Sequence, residues 1–196
     1  MISILIPSAE ILPDIGFIDQ YLEGLNYEYI FQLDNDRRGK GWALQQAFKK
    51  SKGEYIVWYD ADMEIHPRHI KEFFFTMAFK DVDIIVGSKR HPDSKVKYPL
   101  IKRGVSFLGY LAAKVLYRLP ISDTQTGLKL FKRKVLQNEY RVLGFGHDVE
   151  VLFKAYKQGF TMMEMPVTIK NQRPGTVTFM SILRTMKEFI WLRFQL

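Results

Sequence analysis

Short apolar strands alternate with amphipathic helices along the first half of the chain, and this pattern restricts the fold more than any other feature. Apolar, β-branched and aromatic runs predict four strands, at 2–6, 27–33, 54–59 and 82–86. Helical spacing of apolar residues predicts helices between them, at 11–25, 42–52 and 67–79. Parallel strands need crossover connections of this kind, so the pattern indicates an α/β fold with a mixed, mostly parallel sheet flanked by helices.

The second half of the chain carries fewer strand signals and longer amphipathic segments. We predict a strand at 128–131, a strand or edge segment at 163–169, and helices at 101–119, 151–158 and 178–196. A chain of 196 residues is long enough for one domain. We therefore expect a single α/β domain over 1–175, followed by an amphipathic helix over 176–196.

Charge and cysteine content narrow the classes of function. The chain has no cysteine, which excludes a cysteine nucleophile, a disulfide-built module and a cysteine-ligated zinc site. The net charge of +8 indicates a polyanionic partner, such as nucleic acid, an anionic membrane or a phosphate-bearing substrate. Segment 89–103 holds six basic residues against one acidic residue, so most of this charge is concentrated in one place. A solvated surface loop is the alternative interpretation of this segment.

The carboxyl ends of the predicted strands are the expected location of a ligand site. In open α/β sheets, ligands bind beyond these ends, which meet at one edge of the sheet. The segments that follow the four strands are 7–10, 34–40, 60–64 and 87–90. The basic residues of 89–103 begin at this same edge, which makes nucleic acid the less favoured partner.

Two carboxylates, Asp60 and Asp62, follow the apolar strand 54–59 directly. Carboxylates this close repel each other unless a positive charge lies beside them. A hard divalent cation such as Mg²⁺ or Mn²⁺ takes oxygen ligands and would supply that charge. In the alternative interpretation, one aspartate caps the helix that starts near Pro67 and the other is solvated.

Several segments, in the same order along the chain, resemble motifs of family 2 glycosyltransferases with the GT-A (nucleotide-diphospho-sugar transferase) fold. Asp60-Ala61-Asp62 resembles the D-x-D motif. Segments 4–10, 38–44 and 84–90 resemble, respectively, the I-P-x-Y-N-E turn, N-x-G-K-G-x-A and the I-V-x-G-S-R strand end. Segments 123–131 and 145–152 resemble D-T-Q-x-G-F-K-L-F and F-x-F-D-x-E-L-L of polyprenyl-phosphate sugar transferases, such as dolichyl-phosphate mannose synthases. The resemblance covers residues 1–173.

The resemblance implies an activity. The implied enzyme is an inverting, metal-dependent glycosyltransferase. It would move a sugar from a nucleotide-diphosphate sugar to a polyprenyl phosphate at a membrane surface. Two alternatives stay open. One is the same fold acting on a soluble or glycan acceptor. The other is a non-catalytic relative that binds a nucleotide sugar or a membrane.

The resemblance also assigns roles to residues. The implied ligands of the divalent cation (Mg²⁺ or Mn²⁺) are Asp60, Asp62 and Glu64. The implied donor-binding residues are Pro7, Glu10, Asp34, Lys40, Asp60, Lys89 and Arg90. The implied residues for the phosphates of donor and acceptor are Lys102, Arg103 and Ser106. The implied catalytic residues are Asp148, Asp123 and Gln125.

Two of these residues, Asp148 and Asp123, have an alternative role. Asp148 stands where many members of the family have a general base. A phosphate acceptor is largely ionised at neutral pH, so we expect Asp148 to orient the acceptor or the sugar instead. Asp123 has an alternative role as a turn or cap residue. His147, which replaces an aromatic residue of the family motif, is expected to be a packed core residue without chemistry.

The nucleotide-binding half is shorter than the family pattern. In the family, a further helix and strand separate the turn after the second strand from N-x-G-K-G, whereas here 33–39 runs directly into Gly39-Lys40-Gly41. Either Asp34 contacts the base of the donor, or the strand at 27–33 corresponds to the family's third strand and the second is missing.

Two helices suggest contact with a membrane. The predicted helices 101–119 and 178–196 both carry apolar stripes with Lys and Arg beside them, which is typical of helices in a membrane interface. The last helix could also mediate homo-oligomer formation, and the plain alternative is that both helices cover the sheet. We find no signal peptide and no apolar span of about 20 residues. We therefore expect a cytoplasmic protein, attached peripherally to the inner face of the membrane.

Overall fold

The computed structural model describes residues 1–9, 15–96, 110–111, 114–169 and 179–195. Four of the predicted site residues lie outside these ranges: Glu10, Lys102, Arg103 and Ser106. Most of the predicted helix 101–119 also lies outside them, although 110–111 and 114–117 are helical.

Six strands of the described chain form one mixed sheet. They are β1 (Ile2–Ser8), β2 (Tyr27–Leu33), β3 (Tyr55–Tyr59), β4 (Ile84–Ser88), β5 (Leu128–Lys132) and β6 (Met162–Pro166). Their order across the sheet is β2-β1-β3-β5-β4-β6. All neighbours are parallel except β5, which is antiparallel to both β3 and β4. The predicted mixed, mostly parallel sheet is confirmed.

The helices lie between the strands, close to the predicted positions. They are α1 (Asp19–Leu22), α2 (Lys40–Lys50), α3 (Arg68–Lys80), α4 (His147–Lys157) and α5 (Phe179–Gln195), with a 3₁₀ turn at Arg133–Leu136. Helix α1 is much shorter than the predicted 11–25, because 16–18 form turns and Gly24 takes a left-handed conformation. Helix α4 begins four residues before the predicted start. Among the described residues, no helix is long and apolar enough to cross a membrane.

The sheet separates two hydrophobic cores. Alternate residues of β3 point to opposite faces, so Trp58 contributes to one core and Val57 to the other. The first core lies under α2, α4 and α5, and the second under α1 and α3. Phe189 and Leu192 of α5 are each only 1% exposed in the first core. The C-terminal helix therefore shares its core with the rest of the domain.

The antiparallel direction of β5 decides what lies at the edge of the sheet. Because β5 runs against its neighbours, the segment that precedes it, 123–127, arrives at the edge where β3 ends. The backbone N–H of Asp60 donates to the carbonyl of Gly127 at 2.9 Å, which joins the two segments. Two motifs that are far apart in the sequence therefore meet at one place.

Candidate active site

A cleft opens at the carboxyl end of β3. It is lined by Tyr59, Asp60, Asp62, Glu64, Ile65, Lys89, Gln125 and Gly127. Five of these residues were predicted from the sequence to bind metal, donor or acceptor. The structure therefore brings segments 60–64, 89–90 and 123–127 together, as the sequence analysis expects of a single site.

A tight turn presents the carboxylates to the cleft. The backbone N–H of Met63 donates to the carbonyl of Asp60 at 3.0 Å, and Met63 has a left-handed φ of 50°. A non-glycine residue rarely adopts this conformation, but the buried Met63 side chain anchors it in the second core. The hydroxyl of Tyr59 closes the segment by donating to the carbonyl of Ile65 at 2.5 Å. Both ends of the turn are therefore fixed.

A lysine faces the acidic turn across the cleft. Lys89 Nζ lies 2.7 Å from Glu64 Oε2, and the backbone N–H of Glu64 donates to Asp62 Oδ1 at 3.1 Å. Lys89 is itself held by its backbone N–H, which donates to Asp123 Oδ2 at 2.9 Å. Asp123 thus stabilises the turn after β4, in the manner of the turn residue considered as the alternative.

The acidic turn has the donors that a hard divalent cation prefers. Loss of hydration and the neighbouring charge of Asp60 raise the pKa of Asp62, so the carboxylates are unfavourably crowded. A cation beside them would relieve this repulsion, and their oxygens suit Mg²⁺ or Mn²⁺. Among the described residues, no three acidic or histidine side chains converge closely enough to hold a metal ion by themselves. Magnesium commonly binds one or two carboxylates and completes its shell with substrate phosphates and water.

Four charged residues lie behind the cleft, and we call them the buried charge cluster: Lys40, Asp60, Lys129 and Asp148. Lys40 Nζ is 2.9 Å from Asp60 Oδ1 and 3.5 Å from Asp148 Oδ2. Lys129 Nζ donates to Asp148 Oδ1 and, at 2.7 Å, to the carbonyl of Thr126. The cluster has two positive and two negative side chains, and only Asp60 also lines the cleft.

The fold buries these charges from three directions. Lys40 is the first residue of α2, Asp148 lies in the first turn of α4, and Lys129 lies within β5. The Asp148 side chain is 0% exposed and that of Lys129 is 1% exposed. Burial alone would raise the pKa of Asp148, but the two ammonium groups hold that pKa below its usual range. Asp148 and Asp60 likewise raise the pKa of Lys40 against the effect of its burial.

Asp148 does not reach the cleft. Its oxygens face Lys129 and Lys40, and Gly127 and Gln125 line the part of the cleft next to the cluster. Gln125 is exposed and donates to the carbonyl of Phe145 at 3.2 Å. Of the three predicted catalytic residues, Gln125 alone lines the cleft in this structure.

His147 packs in the core beside the cluster. Its ring stacks on Trp58 with centroids 5.5 Å apart and meets the edge of Tyr140 at 5.2 Å. A Cβ at Gly41 would lie 2.6 Å from the Cβ of His147, so the close approach of α2 and α4 requires glycine there. Burial lowers the pKa of His147 to about 4. The interpretation of His147 as a packed core residue is confirmed.

Asp34 organises the turn after β2, at the same edge of the sheet. Its two carboxylate oxygens accept the backbone N–H groups of Arg38 and Gly39, at 2.8 and 2.6 Å. The Asp34 carboxylate therefore shapes the turn that leads from β2 into α2. Pro7 lies next to this turn, near the end of β1, which pairs directly with β2.

Arg90 lies over the ring of Tyr110, 4.6 Å from its centroid.

Two charged residues that organise the site, Lys129 and Glu164, had no role predicted from the sequence. Lys129 holds Asp148, and Glu164 of β6 accepts the backbone N–H groups of Ser122 and Asp123, at 2.9 and 2.8 Å. A lysine within the apolar run Leu128-Lys129-Leu130-Phe131 was the available signal, because a charge in a buried strand needs a partner. Glu164 lies in a similar apolar context in Met163-Glu164-Met165.

Comparison with known proteins gives a consistent result at the sequence level. Residues 17–139 match the family described as Glycosyl transferase family 2. The chain is 31% identical over 137 residues to glycosyltransferase AglD of Haloferax volcanii, covering 68% of this chain and 22% of that protein. It is 23% identical over 142 residues to undecaprenyl-phosphate mannosyltransferase of Micrococcus luteus, covering 70% of this chain and 56% of that protein. It is 25% identical over 168 residues to dolichyl-phosphate beta-glucosyltransferase of Dictyostelium discoideum, covering 81% of this chain and 51% of that protein.

The chain therefore spans from about a fifth to just over half of the length of these curated relatives. Among solved structures, it superimposes on glucosyl-3-phosphoglycerate synthase of Mycobacterium tuberculosis in complex with Mn²⁺, UDP and glucosyl-3-phosphoglycerate. The TM-score is 0.76, and the match covers 99% of this chain and 78% of that one. At 14% identity this likeness shows the fold alone, and it confirms the predicted GT-A fold.

Proposed function

The chain belongs to glycosyl transferase family 2, and on this premise we propose that it transfers a sugar from a nucleotide-diphosphate sugar to a polyprenyl phosphate. The observation that carries the proposal is the cleft, in which Asp60, Asp62 and Glu64 face Lys89 at the carboxyl end of β3. Two of the curated relatives are named for sugar transfer to undecaprenyl or dolichyl phosphate, which supports this class of acceptor.

The residues of the cleft divide into two roles. Asp60, Asp62 and Glu64 would hold a divalent cation together with phosphate oxygens of the donor, and that cation would neutralise the charge that develops on the leaving diphosphate. Lys89 would exchange its ion pair with Glu64 for a phosphate oxygen of the donor. After this exchange the Glu64 carboxylate could contribute to binding of the cation. The pair lies at the cleft surface, where such an exchange costs little, because partly solvated ion pairs are weak.

The chemistry needs no strong base on the protein. An oxygen of the acceptor phosphate attacks the anomeric carbon of the sugar while the bond from that carbon to the diphosphate breaks. Attack from the opposite face inverts the configuration. The second pKa of a phosphate monoester is near 6, so the acceptor is largely ionised at neutral pH and carries no proton that must be removed. Gln125 and the segment fixed by Asp123 would then position the sugar and the acceptor beside the cation.

Helix α5 supports peripheral binding to a membrane. Its inner face contributes Phe189 and Leu192 to the core. Ile190, Trp191 and Phe194 are exposed, and Phe194 lies one helical turn after the other two. Arg193 is exposed beside them, so this face offers apolar and cationic groups together. We place this face against an anionic membrane surface, where the lipid acceptor resides. Salt-sensitive flotation with anionic vesicles tests this placement, and binding that is indifferent to anionic lipid contradicts it.

A transfer assay tests the proposed function. Protein, Mn²⁺ or Mg²⁺, a panel of labelled nucleotide sugars and polyprenyl phosphate are incubated, and the lipid fraction is examined for label. We expect label with at least one donor, loss of transfer on chelation, and a decrease of about a hundredfold for Asp62→Asn, because a cation ligand is removed.

Two controls make the assay specific. Asp81→Asn removes an exposed carboxylate that pairs with Lys132 at the opposite end of the sheet, and it should leave transfer unchanged. In a parallel reaction, a soluble phosphate monoester replaces the polyprenyl phosphate. Label on this monoester, with none in the lipid fraction, would identify a soluble acceptor. No transfer with any donor, together with unaltered nucleotide affinity in Asp62→Asn, would overturn the proposed function.

A further inference from the structure

The buried charge cluster separates Asp148 from the place where substrates would bind. Asp148 is 0% exposed and does not line the cleft, and each of its oxygens faces an ammonium group. The residue that connects it to the cleft is Lys40, which lies between Asp148 and Asp60. Asp148 therefore has no direct contact with the cleft, and Lys40 is a side chain that could carry its influence to a ligand there.

Resting on the proposed function, we propose that Asp148 is a positioning residue that acts through Lys40 on the cation-binding carboxylate of Asp60. In this arrangement Asp148 shares the charge of Lys40. Without that competition, Lys40 would pair with Asp60 alone and cancel the charge that a divalent cation needs. The composition of the cluster supports this, since two ammonium groups face two carboxylates, and the Asp60 side chain lines the cleft and remains 31% exposed.

The surroundings fix Asp60 for this role. Asp60 Oδ1 is turned inward to Lys40 at 2.9 Å, and a Cβ at Gly127 would lie 2.7 Å from Asp60 Oδ2. One oxygen of this carboxylate thus faces an ammonium group, and the other lies against Gly127. Lys129 holds Asp148 from the other side. The buried charge cluster therefore sets the position of Asp60, one of the proposed cation ligands, from within the core.

The test is a double-mutant cycle on the affinity for Mn²⁺ alone, measured with purified full chain by the loss of the free-ion EPR signal. We expect Asp148→Asn to weaken Mn²⁺ binding about tenfold when Lys40 is present. In a Lys40→Met background, the same Asp148→Asn change should alter the affinity by less than about twofold, because residues that act through one another are not additive. Asp81→Asn, which removes an exposed carboxylate paired with Lys132, is the matched control and should change neither value.

Folding is controlled separately. Asp148→Asn leaves Lys129 buried without its carboxylate, so the cycle is repeated with Lys129→Met/Asp148→Asn, which removes that pair together. The same dependence on Lys40 is expected for this double variant.

Two results would overturn the inference. One is an Mn²⁺ affinity that Asp148→Asn leaves unchanged while transfer is lost, since Asp148 would then contact substrate. The other is an equal decrease with and without Lys40, which would indicate a general effect of charge. If the wild-type chain binds Mn²⁺ but transfers no sugar, the proposed function fails while the cycle still decides the role of Asp148.

Discussion

The buried charge cluster and the cleft surface combine the same side chains, lysine and carboxylate, in two different environments. In the cluster, the side chains of Lys129 and Asp148 are at most 1% exposed and contact each other directly. At the cleft, Lys89 and Glu64 are 23% and 16% exposed and face open space. Both pairs have short contacts, so distance alone does not distinguish their roles.

The difference lies in what each pair can exchange. A buried ion pair has no water to replace a lost partner, so it holds its geometry and breaking it is costly. A pair at a cleft can open towards solvent or a ligand at little cost. The comparison indicates that the cluster fixes the site and that the cleft pair takes part in binding. Asp60 belongs to both regions and links them.

The largest expected effect is on the free energy of unfolding, which should respond differently to the same change at Lys129 and at Lys89. Lys129→Met should lower the free energy of unfolding by about 3–5 kcal/mol, because it leaves the buried Asp148 short of a partner. Lys89→Met, the matched change at the cleft, should lower it by less than about 1 kcal/mol. Urea unfolding of both variants measures the difference. Equal midpoints for the two variants would show that burial does not distinguish the pairs.

An intermediate effect is expected from the pH dependence of stability. His147 has a pKa of about 4 in the folded chain because it is buried, against about 6.5 when unfolded. The unfolded state therefore binds the proton first, and this contribution to stability is complete above pH 6.5 and is lost as the pH falls towards 4. The loss amounts to about 2–3 kcal/mol.

The variant His147→Phe keeps an aromatic ring on Trp58 but has no titrating group. We expect its stability to decrease less than that of the wild type between pH 6.5 and 4, as measured by urea unfolding at a series of pH values. Parallel curves for the two proteins would show that His147 does not titrate differently in the folded state.

The smallest expected effect concerns the crowded carboxylates of the cleft. Because the pKa of Asp62 is raised by its surroundings and by Asp60, Asp62→Asn should leave stability unchanged or raise it by up to about 1 kcal/mol in the absence of metal. Thermal unfolding with and without Mn²⁺ measures this. We expect Mn²⁺ to stabilise the wild type but not the variant. A variant that is less stable than the wild type without metal would indicate a structural role for Asp62.

Much of the architecture followed from local patterns. The apolar runs of β1 to β4 and the helical spacing of α2 and α3 placed these elements within a few residues of their observed positions. The rule that parallel strands share a carboxyl edge placed Asp60, Asp62 and Lys89 together. Helix α1 was predicted too long, because turns at 16–18 and Gly24 limit it. Helix α4 was predicted too short, because its polar first turn contains Asp148 and Glu150, which the fold buries.

By itself, the sequence determined the order of strands and helices, the acidic turn at Asp60 and Asp62, and the resemblance to a glycosyltransferase family, because these depend on neighbouring residues. The tertiary structure decided that β5 runs antiparallel between β3 and β4. It also decided that Lys129 and Asp148 form a buried ion pair, and that Lys40 contacts both Asp148 and Asp60. Such contacts depend on which elements become neighbours in space. A charged side chain acquires its partner and its exposure to water only when the chain packs around it. The partner and the exposure together decide whether that side chain supports the site from within or binds a ligand at its surface.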